Sequence, residues 1–250
     1  MIDLHSHILP GLDDGVQTIE EARALARRAA EDGITAIAGT PHVRMDYPTR
    51  AEQMEAGVAD LRRDFAAQRI PIEVLHGGEL DLEAAAALDR DVLHRFTLAQ
   101  SGRYLVLEFP YRGWPLTLEE RIFELQVQGF VPVIAHPERN REVQVNPERL
   151  AESVRRGALV QVTAASVDGR LGREPRRAAE RLLRLELVHL LASDSHAPDV
   201  RETGLAAAAA ALRDDGLARF LTVDAPAAIV AGEDLPRPTR RRRRRRRFLF

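Results

Sequence analysis

Apolar positions along this chain gather into short, β-branched runs separated by longer amphipathic stretches. Runs at 2–5 (IDLH), 34–38 (ITAIA), 72–75 (IEVL), 104–109 (YLVLEF), 131–135 (VPVIA), 158–162 (ALVQV) and 187–192 (LVHLLA) each read as a buried strand. Most of the intervening stretches read as helices. Over 18–32, Thr18 can act as N-cap, Glu21 three residues later completes a capping box, and Gly33 ends the helix. Strands alternating with helices predict parallel strands joined by crossover helices, in either an open doubly wound sheet or a closed barrel.

The two architectures differ in the side chains they need at the ends of their strands. A barrel gathers residues from the C-terminal ends of many strands onto one face, whereas an open sheet uses mainly the crevice at its switch point. Here His5 and His7 come at the end of the first run, Thr40, Pro41 and His42 after the second, and Gly77, Gly78 and Glu79 after the third. Glu108 ends the fourth, His136 the fifth, and Asp194 with His196 comes after the seventh. Five of the eight histidines therefore sit at strand ends, which scattered surface histidines would not do. A barrel carrying a metal site at its strand C-termini accounts for the pattern.

Spacing supports direct ligation. His5 and His7 are two apart on an extended segment, so both side chains point to one face, and the "SDSH" pair repeats that geometry with a carboxylate and an imidazole. Mixed imidazole and carboxylate sets suit manganese, zinc or iron and disfavour magnesium and calcium, and several bridging carboxylates imply more than one ion. His76, His94 and His189 fall outside the constellation and read as core histidines. Asp13, beside Asp14, reads as a residue that caps or shapes the loop. Asp3, inside the first strand, reads as a partner that orients a ligand imidazole.

Composition sharpens the chemistry by what it lacks. At 250 residues and 45% apolar content, one large core is expected, with a domain over 1–235. No apolar run approaches the roughly 18 residues of a membrane span, and no signal segment precedes Asp3, so a cytoplasmic protein is expected. The absence of cysteine excludes disulfides, zinc-thiolate sites and a cysteine nucleophile. All 36 basic residues are Arg, which excludes Schiff-base lysines and the P-loop lysine. Charge is unevenly placed: Arg237 and the eight arginines at 240–247 carry nine positive charges, so a net of -2 leaves residues 1–236 at -11 by subtraction. The stretch 236–250 is expected to be a disordered tail with at most loose affinity for lipid or nucleic acid, and the acidic body offers no nucleic-acid track.

Taken in order, "MIDLHSHILPGLDDGV", "GTPH", "GGEL", "LEFP", "AHPERN" and "SDSH" resemble the polymerase and histidinol phosphatase (PHP) superfamily. Within it they resemble most the bacterial manganese-dependent protein-tyrosine phosphatases of capsule and exopolysaccharide operons. The resemblance implies a distorted (β/α)7 barrel holding three metal ions, Mn2+ first and Zn2+ or Fe as alternatives. It implies that His5, His7, Glu79 and Asp194 hold the first ion, Asp14, His42 and His196 the second, and Glu79, Glu108 and His136 the third, with Glu79 bridging. Such ions can turn a bound water into hydroxide near neutral pH, which dispenses with a protein nucleophile. Arg139 and Arg201 match the phosphate-contacting arginines of that family, and guanidinium grips phosphate bidentately. Tyr111 and Trp114 in "FPYRGWP" can form a rim for an aromatic ring or simply pack their loop. The implied substrate is a tyrosine-phosphorylated protein, an autophosphorylating bacterial tyrosine kinase. A small-molecule phosphatase for histidinol phosphate and a non-catalytic metal-binding regulator are the alternatives. Two departures, Ala197 where Asn is common and "DAP" where Asn-Pro is usual, remove no implied ligand.

Overall fold

The computed structural model of the chain describes residues 1–198 and 204–237. Arg201 and the Arg run at 240–247 lie outside the described residues. Each of the seven apolar runs contains a strand, and the chain order is β1 (Ile2–Ser6), α1 (Ile19–Glu31), β2 (Ala36–Gly39), β3 (His42–Arg44), β4 (Tyr47–Pro48) and α2 (Ala51–Ala67). Next come β5 (Glu73–Leu75), β6 (Glu79–Leu80), α3 (Leu82–Ala87), α4 (Arg90–Arg95), β7 (Tyr104–Glu108), α5 (Leu118–Val127) and β8 (Val131–Ala135). After α6 (Arg141–Val145) and α7 (Leu150–Arg155) come β9 (Leu159–Thr163), α8 (Ala164–Asp168), α9 (Arg173–Arg184) and β10 (Leu190–Ala192). Helices α10 (Ala206–Ala211), α11 (Asp215–Arg219) and α12 (Ala225–Val230) complete the chain order. The capping box of α1 forms as expected: the Thr18 hydroxyl accepts from the Glu21 N–H, and the Glu21 carboxylate accepts from the Thr18 N–H.

Among the described residues, strand pairing is parallel except in the β3–β4 hairpin. The strands fall into a three-stranded sheet, β1-β2-β5, and a seven-stranded sheet, β10-β9-β8-β7-β6-β3-β4. This corrects the expectation of a closed barrel, because the hydrogen-bonded ladder does not form one ring. The break has a local cause. The second apolar run is interrupted at Thr40-Pro41, where proline brings no N–H to a ladder, and resumes as β3. The third is interrupted at His76-Gly77-Gly78 and resumes as β6. The glycines are needed there, since a Cβ on Gly77 would stand 2.8 Å from Thr40 and one on Gly78 2.5 Å from the Phe96 ring. Between β1 and the β10 end of the larger sheet, the backbone contact is a single bridge, Ser6 to Ser195, flanked by Asp194 N–H to His5 O at 2.9 Å.

Side chains alternate as a two-faced sheet requires. Leu105, Leu107, Ile134 and Val160 pack in the large apolar cluster with helix residues such as Leu25, Phe65, Ile122 and Leu182. Tyr104, Val106, Val133 and Ala135 pack instead with Leu4, Ala38, Leu75 and Leu190. Glu108 is in phase with Tyr104 and Val106, so the face that is apolar along the strands turns polar at their C-terminal ends. No helix among the described residues is long and apolar enough to cross a membrane.

Candidate metal centre

The strand ends deliver the polar side chains to one place. His5, His7, Glu79 and His136 are each at most 2% exposed. Glu79, at the start of β6, is the hub. Its Oε2 lies 3.4 Å from His5 Nε2, 3.5 Å from His7 Nε2 and 2.9 Å from His42 Nδ1, while its Oε1 lies 2.8 Å from His136 Nε2. Asp194 Oδ1 faces the same two imidazoles, 3.5 Å from His5 Nε2 and 3.4 Å from His7 Nε2. On the outer side, Asp14 Oδ1 is 3.4 Å from His42 Nε2 and 3.6 Å from His196 Nε2, and the His7 and His196 rings stack at 3.9 Å. Glu108 Oε2 is 3.6 Å from His42 Nδ1. His136 and Asp194 both adopt positive φ, 37° and 55°, a backbone cost that non-glycine residues bear where surrounding contacts hold them.

All nine side chains expected as ligands meet in this cluster, in four overlapping groups whose donor atoms lie within 4.8 Å of one another. His5, His7 and Asp194 form one group, and His7, Asp14, His42 and His196 another. The third expected set is divided: Glu79 and Glu108 gather with His42, whereas His136 gathers with Glu79 and His5. The donor chemistry fits divalent cations. Buried His5 Nε2, His7 Nε2, His42 Nδ1 and Glu79 Oε2 make no hydrogen bond to any described residue, although leaving such groups unsatisfied costs about 1–3 kcal/mol each. A metal ion can satisfy several imidazole lone pairs and a carboxylate oxygen together.

The imidazoles and carboxylates of the cluster shift one another's titration. Burial pushes the Glu79 carboxyl up, but His5, His136 and His42 overcome it and hold it well below the usual range. Burial works against protonated His5 and His7, yet the surrounding carboxylates raise both, His7 well above its ordinary value. Glu108 is raised by burial and by the neighbouring Glu79. His196 is lowered by burial and by His7.

Beside the cluster lies a cavity of about 310 Å³ lined by Asp14, Tyr111, Arg139, Thr163, Asp194 and His196, among others. Arg139 Nη1 donates to Asp194 Oδ2 at 2.5 Å, and its guanidinium lies 4.6 Å from the Tyr111 ring centre. Tyr111 is on the exposed rim and Trp114 is not: Trp114 packs edge-on against Phe109 and beneath Arg149.

Several side chains around the cluster differ from their sequence reading or escaped it. Asp13 does more than shape its loop, since it accepts from Gly15 N–H at 2.9 Å, from His42 N–H at 2.9 Å and from His7 Nδ1 at 2.7 Å. Burial opposes its charge, but these donors bring it down to about 2. Asp3 does not orient an imidazole: its Oδ1 accepts from the backbone N–H of Ser193 at 3.0 Å and of His5 at 3.4 Å, and burial pushes it up to about 6. The His5 ring instead faces Gln161, Nδ1 to Oε1 at 3.1 Å. Gln161 carried no signal beyond an inward position in a strand. Arg44, also unmarked in the sequence, donates to Glu108 Oε1 at 2.7 Å. His76, His94 and His189 belong to none of the donor groups. His189 Nδ1 accepts from Val160 N–H at 3.1 Å, and burial brings it down to about 4.

Comparison with known proteins decides the family. The family model described as capsular polysaccharide synthesis, CpsB/CapC, matches residues 1–230. The chain belongs to the CpsB/CapC family. It is 35% identical over 198 residues to the tyrosine-protein phosphatase YwqE of Bacillus subtilis, covering 78% of this chain and 77% of that protein. It is 29% identical over 209 residues to the tyrosine-protein phosphatase CpsB of Streptococcus pneumoniae, covering 80% and 85%. A crystal structure from a study of YwqE and CpsB, described there as unique metal-dependent tyrosine phosphatases, superposes with a TM-score of 0.85 at 32% identity, over 96% of this chain and all of that one.

Proposed function

We propose that this CpsB/CapC chain is a metal-dependent protein-tyrosine phosphatase whose substrate is a tyrosine-phosphorylated protein, a bacterial tyrosine kinase that governs capsule or exopolysaccharide synthesis. The observation that carries the reading is the convergence of buried, hydrogen-bond-free imidazole and carboxylate atoms at strand ends. In this reading His5, His7, Glu79 and Asp194 hold one Mn2+, Asp14, His42 and His196 a second, and Glu79, Glu108 and His136 a third. Divalent ions bound there supply Lewis acidity, lowering the pKa of coordinated water and offsetting charge on phosphoryl oxygens.

The chain's own groups do the rest. The guanidinium of Arg139 has five N–H donors, of which Asp194 engages one, so it can also take phosphate oxygens in the cavity it lines. Arg201 is proposed as a second phosphate donor. Tyr111, whose ring lies against the Arg139 guanidinium at the rim, offers an aromatic face to the substrate phenol. A phenolate needs little protonation to leave, so a site without a dedicated strong acid suits an aryl phosphate better than an alkyl one. Location in the cytoplasm belongs to the same proposal. The test is to compare kcat/KM on a phosphotyrosyl peptide with that on histidinol phosphate after adding Mn2+. Faster turnover of the peptide is expected; preference for histidinol phosphate would overturn the tyrosine assignment.

A further inference from the structure

Two oxygens in this site do the same job in the same way. Asp13 Oδ2 accepts from the backbone N–H of His42 at 2.9 Å and lies 2.7 Å from the ring Nδ1 of His7. Gln161 Oε1 accepts from the backbone N–H of His136 at 3.2 Å and lies 3.1 Å from the ring Nδ1 of His5. Each oxygen thus ties the ring of one strand-end histidine to the backbone of another, on a different strand.

The backbone donors settle what the rings must be. A backbone N–H can only donate, so the Gln161 atom at His136 is the amide oxygen and not the nitrogen, which removes the usual ambiguity of amide orientation. That same oxygen faces His5 Nδ1, and two lone pairs at 3.1 Å would repel; His5 Nδ1 therefore carries the proton. Asp13, an acceptor only when ionised, imposes the same tautomer on His7. With Nδ1 the donor in both rings, Nε2, which faces Glu79 and Asp194, is the nitrogen left to ligate a cation. Gln161 is 1% exposed and its Nε2 makes no hydrogen bond to any described residue, so its burial is offset by the oxygen's two bonds and not by the amide as a whole.

We infer that Asp13 and Gln161 are matched positioning residues that lock His7 and His5 in the Nδ1–H tautomer, aim their Nε2 atoms at a shared cation, and clamp His42 and His136 in register. The inference rests on the reading of this cluster as a metal centre. Groups that hold ligand imidazoles in this way are worth roughly 10–100-fold in metal affinity.

The test titrates Mn2+ into the full-length, metal-stripped chain and its Gln161→Met and Gln161→Glu variants, with calorimetry as the readout, and records the ring 15N shifts of His5 without metal. Methionine keeps the volume and loses the acceptor; glutamate keeps the acceptor. Wild type should show His5 protonated at Nδ1. Gln161→Met should bind Mn2+ roughly 10-fold or more weakly with its melting transition intact, and Gln161→Glu should recover most of the affinity. Equal affinity of Gln161→Met and wild type, failure of Gln161→Glu to recover it, or a wild-type His5 whose Nδ1 carries no proton would each overturn the inference. Absence of Mn2+ binding by wild type would overturn the metal reading itself, a separate failure.

Discussion

His5 and His7 are two residues apart on one strand, yet they are held by different chemistry. His7 is braced by a carboxylate six residues away in the next loop, and His5 by a neutral amide 156 residues away on β9. The charged brace raises the basicity of its imidazole, and His7 is accordingly raised well above its ordinary value, with the Asp13 hydrogen bond the first of the effects that overcome burial. The neutral brace fixes direction while adding no charge to a centre already crowded by Glu79, Asp194 and Glu108. A cluster that must attract cations without repelling itself apart in their absence gains from having one of each.

The largest effect should come from the residue both imidazoles share. Glu79→Gln removes the charge of the hub and should abolish hydrolysis and weaken Mn2+ binding more than about 100-fold, beyond what loss of a brace costs; calorimetry and phosphotyrosyl-peptide assays check both. Next, the braces should separate by charge. Charge-assisted hydrogen bonds are about twice as strong as neutral ones, so Asp13→Leu should weaken Mn2+ binding by about 100-fold against about 10-fold for Gln161→Met. Equal losses would erase the distinction between the two braces. Smaller again is Arg139→Ala, which leaves both braces in place: kcat/KM on the peptide should fall about 10- to 100-fold, from loss of a charged hydrogen bond worth about 1.5–3 kcal/mol, with the Mn2+ complement retained.

His189 supplies the contrast outside both braces. Its folded value near 4 lies below the unfolded 6.5, so the unfolded chain takes up the proton first as pH falls and stability declines from pH 6.5 toward 4. Relative to wild type, His189→Gln should lose less stability over that window, the difference growing to at most about 3 kcal/mol in urea midpoints converted to free energy. No difference would mean that the buried imidazole titrates normally.

The same contrast shows why part of the site was legible in the sequence. Ligand-type residues at strand ends stand out because the apolar run stops where they begin, and Thr18 and Glu21 announce α1 through a spacing that depends on nothing outside it. Asp13 was visible but ambiguous beside Asp14, since only the fold shows which of the two turns inward to His7. Gln161 was invisible: in "ALVQV" it is one polar residue at an inward strand position, and its partners come from β1 and β8. Arg44 was hidden for a similar reason, because β3 emerges only after the Pro41 break and Arg44 meets Glu108 across β6. That break also explains why seven alternating strands did not yield a closed ladder. Periodicity reports which residues form strands, while the kink at Thr40-Pro41 and Gly77-Gly78 is set by local backbone and by packing against Phe96 and Leu98.

The central claim is that hydrolysis depends on the ions this cluster holds. The direct measurement tracks metal content and phosphotyrosyl-peptide hydrolysis in the same samples, from full-length protein purified without chelator, through chelation, to stepwise return of Mn2+. Activity should vanish with the metal and return in proportion to it. Undiminished hydrolysis by the chelated, metal-free chain would contradict the account.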